Sequence, residues 1–214
     1  MNTLIINAQP DYKNDAHYSI QLMNHFIGLF KEKYPNDTLE IRNLAGEWIP
    51  RATMDELLTV RGKQIAKKPL TEQEEKVAQR TDELLNDFMS FHRIVIVMPL
   101  HNFNIPSILK DYMDNILVAR KTFKYTPEGL AGLMTDDRRV LLLQASGSIY
   151  TNNDRYSSFE FSRMYLDTVF TQVMGFDSFQ IVRAQGTSKS AWKAERDMPR
   201  ALGKLDEEFT RFYA

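Results

Sequence analysis

The sequence contains no cysteine and no long apolar segment. Without cysteine the chain cannot form a disulfide framework, use a catalytic thiol or bind a metal through thiolates, which is typical of a reducing compartment. Its 214 residues include no stretch long enough to span a membrane. The first residues, "MNTLIINAQP", lack the basic region and apolar stretch of an export signal. We therefore predict a cytoplasmic protein with no membrane partner.

A surplus of charge of one sign is missing as well. The 27 basic and 28 acidic residues are scattered along the chain and leave a formal net charge of -1, so no nucleic-acid-binding surface is predicted. The four histidines do not have the close spacing of metal ligands, and no metal site is predicted; they are His17, His25, His92 and His101. Small molecules or other proteins are left as partners.

Glycine-rich nucleotide motifs are the third absence. The loop after the first predicted strand, "NAQPDYKNDAHYS", contains no glycine, and the next glycine, Gly28, lies inside the first predicted helix. No GxxxxGK[ST] sequence occurs either. These two absences count against a dinucleotide fingerprint and a phosphate-binding P-loop.

Apolar periodicity predicts five strands that alternate with helices. The predicted strands cover residues 3–7, 38–44, 93–98, 140–145 and 179–184. The third strand, "RIVIVM", is apolar at every central position, as expected when helices cover both faces of a sheet. Helical patterns cover residues 20–34, 54–65, 71–91, 106–117, 157–174 and 190–212. This alternation predicts one domain, residues 1–214, with a doubly wound parallel sheet and helices on both faces.

Ligands of such sheets bind beyond the C-terminal ends of the strands. The loops after Asn7, Met98 and Ala145 are therefore predicted to meet on one edge. The first of these loops leads into a helix at His17 and Ser19, where backbone amides, the helix dipole and a hydroxyl can hold a terminal phosphate without lysine. The alternative is that Asp15 or Ser19 only caps the helix.

The second loop, "PLHNFNIPS" (residues 99–107), lies between a buried strand and a helix. Its asparagines and backbone can bond the edge of a planar heterocycle while His101 or Phe103 packs on the face of the ring. The alternative is a helix entry organised by Asn102 or Asn104, with Phe103 in the core.

The third loop, "QASGSIY" (residues 144–150), follows another buried strand. Gly147 would let a ligand approach the backbone closely, and Ser146 and Ser148 can donate hydrogen bonds. An ordinary turn is the alternative interpretation. The presence of three such loops on one edge favours a binding site.

Three segments carry a resemblance to a known family. In order along the chain, "PLHNFNIPSILKDYMDNI", "ARKTFKYTPEGLAGL" and "LLLQASGSIY" resemble the flavodoxin-like FMN-dependent NADH-azoreductase family, whose members also reduce quinones. The resemblance implies a flavodoxin-like five-stranded sheet and a homodimer with two FMN sites at the subunit interface. It also implies ping-pong hydride transfer from NADH or NADPH through FMN to quinones, azo compounds or nitro compounds.

The same resemblance implies the cofactor-binding residues. They are Gln9, His17 and Ser19 of the first loop, Pro99, Leu100, His101, Asn102 and Phe103 of the second, and Ala145, Ser146, Gly147 and Ser148 of the third. His17 stands where the family usually has serine, His101 occupies its aromatic position, and Gln185 replaces a glutamate. No side chain is predicted to act as a nucleophile, although His101 and Tyr150 can steer protons.

A second hypothesis is a flavin-binding electron carrier or a redox-regulatory module without turnover of small molecules. A carrier is expected to expose a docking face of one charge sign, and the sequence contains no such cluster. We therefore favour an enzyme. No basic cluster marks a 2′-phosphate site, so the sequence does not discriminate between NADH and NADPH.

Overall fold

A computed structural model of the chain describes residues 2–188 and 194–214. Its strands are β1 (Thr3–Asn7), β2 (Leu39–Asn43), β3 (Arg93–Pro99), β4 (Phe123–Thr126), β5 (Gly129–Gly132), β6 (Arg139–Ser146) and β7 (Ser178–Gln185). Five of them form one parallel sheet in the order β2-β1-β3-β6-β7, and β4 pairs with β5 in an antiparallel hairpin. The predicted five-stranded parallel sheet is confirmed.

Helices connect the parallel strands. They are α1 (Tyr18–Lys33), α2 (Leu57–Ile65), α3 (Glu72–Ser90), α4 (Ser107–Ile116), α5 (Phe161–Asp167) and α6 (Ala194–Tyr213). Short 3-10 turns cover Leu44–Gly46 and Ser157–Phe159, and a π-helix, Thr168–Met174, continues α5. Within the described residues no helix is long and apolar enough to cross a membrane.

The two faces of the sheet bury two separate cores. Side chains alternate along a strand, so Ile94 and Ile96 of β3 pack with α3 and α4, whereas Val95 and Val97 pack with α1 and α6. All of these residues are fully buried. This double burial explains why the central strands are continuously apolar in the sequence.

A capping box, which the sequence predicts from Thr71 and Glu74 three residues later, begins α3. The Thr71 side chain accepts a hydrogen bond from the Glu74 amide, and the Glu74 carboxylate accepts one from the Thr71 amide at 2.7 Å. Pro106, predicted in the first turn of its helix, is instead the residue just before α4. The predicted beginning of the last helix at Ser190 lies outside the described residues.

Two features differ from the sequence-based prediction. The helix predicted over residues 157–174 is divided into a 3-10 turn, α5 and the π-helix, which ends at Gly175 with a φ of +90°. The hairpin of β4 and β5 was not predicted. It packs on the end of the π-helix, where the Met134 amide donates to the Met174 carbonyl oxygen at 2.8 Å.

Candidate functional site

The three loops that follow β1, β3 and β6 meet at one edge of the sheet. Pro99 at the end of β3 lies in register with Ala145 of β6. The Leu100 amide donates to the Ala145 carbonyl oxygen at 2.7 Å, and the Ala8 amide donates to the Val97 carbonyl oxygen at 2.8 Å. The loops are thus held together by backbone bonds before any ligand binds.

Buried amide side chains organise the first loop. Asn7 donates to the Asn43 side chain at 2.9 Å and accepts a hydrogen bond from the Gln9 amide at 3.1 Å. The Gln9 side chain then donates from Nε2 to Oγ of Ser19 at 3.1 Å. Both Gln9 and Ser19 are buried. Gln9 therefore orients the Ser19 hydroxyl beneath the loop.

His17 occupies the cap position of α1 without capping it. Its backbone is extended, and its side chain makes no cap bond to the helix. The imidazole Nε2 instead lies 2.9 Å from Asp11 Oδ2, and this hydrogen bond is the main cause that lowers the pKa of Asp11. Asp15 accepts a bond from Asn24 at 3.2 Å. The described hydrogen bonds therefore show no side-chain cap from His17 or Asp15 at the start of α1, where the helix dipole attracts an anion.

The second loop is a tight turn in an uncommon conformation. The amides and carbonyl oxygens of His101 and Asn104 bond each other in both directions, at 3.0 and 2.9 Å. Between them Asn102 and Phe103 have φ values of +46° and +68°, the pattern of a type I′ turn. Asparagine tolerates this left-handed region, but phenylalanine does not, and such strain costs about 1–3 kcal/mol.

Phe103 projects from this turn and is not part of the core. Its side chain is 48% exposed, which excludes the prediction that it is a core residue. Its ring meets Phe159 edge-to-face with centroids 5.9 Å apart, and its carbonyl oxygen accepts from the Phe161 amide at 3.0 Å. The turn therefore presents an exposed aromatic ring that contacts the segment before α5.

The third loop is tied to the segment after β7. The Ser188 amide and hydroxyl both donate to the Gly147 carbonyl oxygen, at 3.2 and 2.7 Å. A Cβ atom at Gly147 would lie 2.8 Å from Ser188 Oγ, so a larger residue there would displace the Ser188 side chain. Ser146 is buried and donates to the Ser148 carbonyl oxygen at 2.9 Å. These contacts fix the loop beside the second loop.

Metal chemistry finds no support in the described part of the chain. Residues 2–188 and 194–214 contain no group of three or more His, Asp or Glu side chains that could hold a metal ion. The site instead offers amides, hydroxyls, two imidazoles and aromatic rings at one edge. This donor set suits an anionic group beside a planar ring.

Comparisons with known proteins identify the family of this chain. The model of a family described as having a flavodoxin-like fold matches residues 1–209. The chain is 54% identical over 211 residues to FMN-dependent NADH:quinone oxidoreductase 1 of Lactiplantibacillus plantarum, covering 99% of this chain and 98% of that protein. The chain belongs to this flavodoxin-like family of FMN-dependent NADH:quinone oxidoreductases.

Another family member and a solved structure extend the comparison. The Staphylococcus aureus (strain MRSA252) FMN-dependent NADH:quinone oxidoreductase is 32% identical, with 98% of both chains covered. The crystal structure of an FMN-dependent NADH-azoreductase from Bacillus anthracis in complex with FMN superposes with a TM-score of 0.93 at 45% identity, covering 99% of both chains. The predicted family and fold are confirmed.

In this oxidoreductase family member, Gln185 uses both ends of its amide. Its Oε1 accepts a hydrogen bond from the Tyr150 amide and its Nε2 donates to Thr151 Oγ1, each at 2.9 Å. A glutamate could accept but not donate at this position. Gln185 therefore fixes the end of the third loop and with it the backbone of Tyr150.

Sequence reasoning missed one polar cluster of this family member. Glu160, the residue before α5, has a buried carboxylate that pairs with Arg183 of β7 at 3.1 Å. Gln144 and Ser162, both buried, complete the cluster. No local motif marks these residues, since they come from three distant parts of the sequence.

Proposed function

We propose that the chain reduces quinones, azo compounds and related flat acceptors with electrons from NADH, through FMN bound at the edge formed by the three loops. Family membership makes the chain an oxidoreductase with FMN as its cofactor and NADH as the donor. One observation carries the rest of the proposal. The start of α1, where the His17 side chain makes no cap bond, and the exposed turn of residues 101–104 lie on the same edge of the sheet.

The start of α1 fits the phosphate of FMN. Backbone amides of the first turn point outward from the helix, and they attract an anion together with the helix dipole. Ser19 supplies a hydroxyl that Gln9 holds in place at 3.1 Å. In its doubly protonated form His17 can also donate to the phosphate from Nδ1, because Nε2 already donates to the Asp11 carboxylate.

The second and third loops fit the polar edge and the face of the flavin ring. The hydrogen bonds of the turn use the amides of His101 and Asn104, so the amides of Asn102 and Phe103 are available to ring oxygen and nitrogen atoms. Pro99 and Leu100 directly precede this turn and extend the same proposed flavin-binding surface. Ala145, Ser146, Gly147 and Ser148 would line the other side of the pyrimidine edge, where backbone donors stabilise negative charge.

The protein's own groups position the reactants. Held by the three loops, FMN would supply the hydride chemistry between NADH and the acceptor, and we infer a ping-pong order of the two reactants. The exposed rings of Phe103, Phe159 and Phe161 offer an apolar surface against which an aromatic acceptor can pack. His101 and Tyr150 are the candidates for delivering a proton to the acceptor.

We further propose a homodimer with an FMN site at each end of the subunit interface. Large apolar side chains are exposed on α2, on the β4–β5 hairpin and on α5, among them Ile65, Tyr125 and Met164 at 85%, 76% and 65%. Ile65 and Tyr125 also line one cavity of about 490 Å³. Exposed apolar surface of this kind is typical of an interface. The single domain and the cytoplasmic location stay predictions from the sequence.

The test is to purify the protein, titrate the apoprotein with FMN and follow NADH oxidation with a quinone and with an azo dye. We expect a yellow holoprotein and oxidation of NADH only when an acceptor is present; the same assay with NADPH measures donor preference. Binding of FMN without oxidation of either donor would favour the electron carrier. A protein that stays colourless after FMN is added would overturn both functions.

A further inference from the structure

The Glu160 carboxylate is enclosed and fully engaged at the binding edge. Its side chain is 6% exposed, and Oε2 accepts a hydrogen bond from Arg183 Nη2 at 3.1 Å. Oε1 accepts from the Gln144 side chain at 3.3 Å, from the Arg163 amide at 2.8 Å and from the Ser162 hydroxyl. A buried charge with this many partners holds its segment in one position.

The partners of Glu160 belong to the sheet. Gln144 and Arg183 lie directly opposite each other in β6 and β7, and Arg183 Nε donates to Gln144 Oε1 at 3.2 Å. The two strands thus form a rigid base for the carboxylate. A segment that is hydrogen-bonded to these two strands is held in one position more precisely than an exposed loop is.

Glu160 is flanked by the two residues that contact the left-handed turn. On one side the Phe161 amide donates to the Phe103 carbonyl oxygen at 3.0 Å. On the other side the Phe159 ring meets the Phe103 ring at 5.9 Å. Leu100 anchors the opposite end of the turn to Ala145, the residue after Gln144. The same part of the sheet therefore holds the turn from both ends.

We propose that Glu160 is a positioning residue, which keeps Phe103 and its turn in the left-handed conformation that faces the flavin. A φ of +68° is unfavourable for phenylalanine, so the turn needs an external contact to remain in this form. The Glu160 cluster provides that contact through the Phe161 amide. The inference rests on the proposed function, because it assumes that the flavin lies against the turn.

The first test replaces the ion pair in the holoprotein. Glu160→Gln keeps the shape of the side chain but leaves Arg183 without a carboxylate, and we expect FMN to bind about tenfold more weakly, equivalent to about 1.4 kcal/mol. The visible circular dichroism of bound FMN should change, and the KM for a quinone should rise more than kcat falls. Arg183→Lys retains a positive charge opposite Glu160, so each of these effects should be smaller in this variant than in Glu160→Gln.

Asp87→Asn is the matched control for lost stability. It breaks the pair between Asp87 and Arg42, whose side chains are 23% and 17% exposed, at α3 and β2. We expect a comparable fall in melting temperature but an unchanged flavin spectrum and KM. All flavin measurements are made at a temperature at which every variant is folded.

A second pair of variants isolates the hydrogen bond from Phe161. Phe161 is the first residue of α5, a position that proline tolerates, and Phe161→Pro removes the donor amide. Phe161→Leu removes the ring and keeps the amide. The inference requires that the proline variant binds FMN at least several-fold more weakly than the leucine variant, with an altered flavin spectrum.

The outcomes separate this inference from the proposed function. If the unaltered protein does not bind FMN, the proposed function fails and the inference fails with it. If the unaltered protein binds FMN but Glu160→Gln behaves as Asp87→Asn does, and Phe161→Pro as Phe161→Leu does, only the positioning role is overturned. Weakened FMN binding confined to Glu160→Gln and Phe161→Pro supports it.

Discussion

His101 holds its turn through backbone atoms, so its imidazole can be altered without loss of the turn. Its amide and carbonyl oxygen both bond Asn104, and the ring is exposed. We expect His101→Phe to leave FMN affinity within about twofold, because an aromatic ring remains to stack, but to lower kcat with a quinone about 100-fold, as expected when a proton donor is lost.

Stopped-flow reduction and reoxidation of the bound flavin would measure this effect. The loss should fall on reoxidation by the quinone and not on reduction by NADH. Tyr150→Phe is the parallel variant, because the Tyr150 amide and not its hydroxyl holds the third loop to Gln185. Unchanged turnover in both variants would remove proton steering from the mechanism.

The residues of the site were predictable only in part. Parallel strands place their C-terminal ends together, so the meeting of the loops after Asn7, Met98 and Ala145 followed from the strand pattern. The left-handed φ of Phe103 did not, because its cause is a contact with residues more than 50 positions away in the sequence. Local propensity carries no information about such contacts.

At the scale of elements, two glycines with different surroundings make a paired prediction. A Cβ at Gly132 of β5 would lie 2.5 Å from the Gly175 nitrogen and from the Met174 carbonyl group. Gly132→Ala must therefore push the hairpin away from the π-helix, and we expect a loss of about 1–3 kcal/mol in the free energy of unfolding.

Gly28 is the control for this substitution. It lies exposed in α1, and beyond the adjacent residues and the nearby helix backbone no heavy atom lies within 4 Å of the place that an alanine methyl group would occupy. Gly28→Ala should stabilise the protein by about 0.5–1 kcal/mol, because alanine favours a helix interior. Urea unfolding of both variants measures the two effects. Equal stability of the two variants would contradict the packing of the hairpin against the π-helix.

Elements with one strong period were predicted, and elements with mixed signals were not. The apolar run of β3 and the helical stripe of α3, with its capping box, leave few alternatives. The hairpin strands are four residues each and contain no buried residue, so they carry no alternating apolar pattern. The π-helix buries Phe170 and Met174 as an α-helix would, and its different hydrogen bonding has no sequence signature.

For the whole molecule, the acidic limit of stability depends partly on Asp136, which precedes β6. Hydrogen bonds from Arg138 at 2.6 and 3.1 Å lower the pKa of Asp136 from 3.8 to about 2. Between these values the unfolded chain binds more protons than the folded one. The contribution is therefore present above about pH 4 and is lost as the pH falls toward 2.

Asp136→Asn tests this contribution. Because the Asp136 side chain is 58% exposed, solvent screening reduces its value to about 1 kcal/mol or less. We expect the variant to be less stable than the unaltered protein at pH 6 and the difference to shrink between pH 4 and pH 2, measured by urea unfolding. A difference that is constant over this range would assign the effect to packing.

The proposed FMN site also depends on the assembly of two chains into a homodimer. If two copies bury the exposed side chains of α2 and the β4–β5 hairpin, a charge placed there must lose its hydration when the dimer forms. Tyr125, 76% exposed on β4, is the position at which to place it. We expect the unaltered protein to sediment at twice the mass of the chain and Tyr125→Glu to shift toward the monomer at micromolar concentration.

Ile41→Glu is the matched control, because Ile41 is 43% exposed on the edge strand β2 and does not line the cavity that Ile65 and Tyr125 share. This variant should remain a dimer. Since the proposed FMN sites lie at the interface, FMN affinity should fall together with dimerisation, and only for Tyr125→Glu. A monomeric Tyr125→Glu protein that binds FMN as tightly as the unaltered protein would show that one chain suffices for the cofactor, and the three loops would then form the whole site.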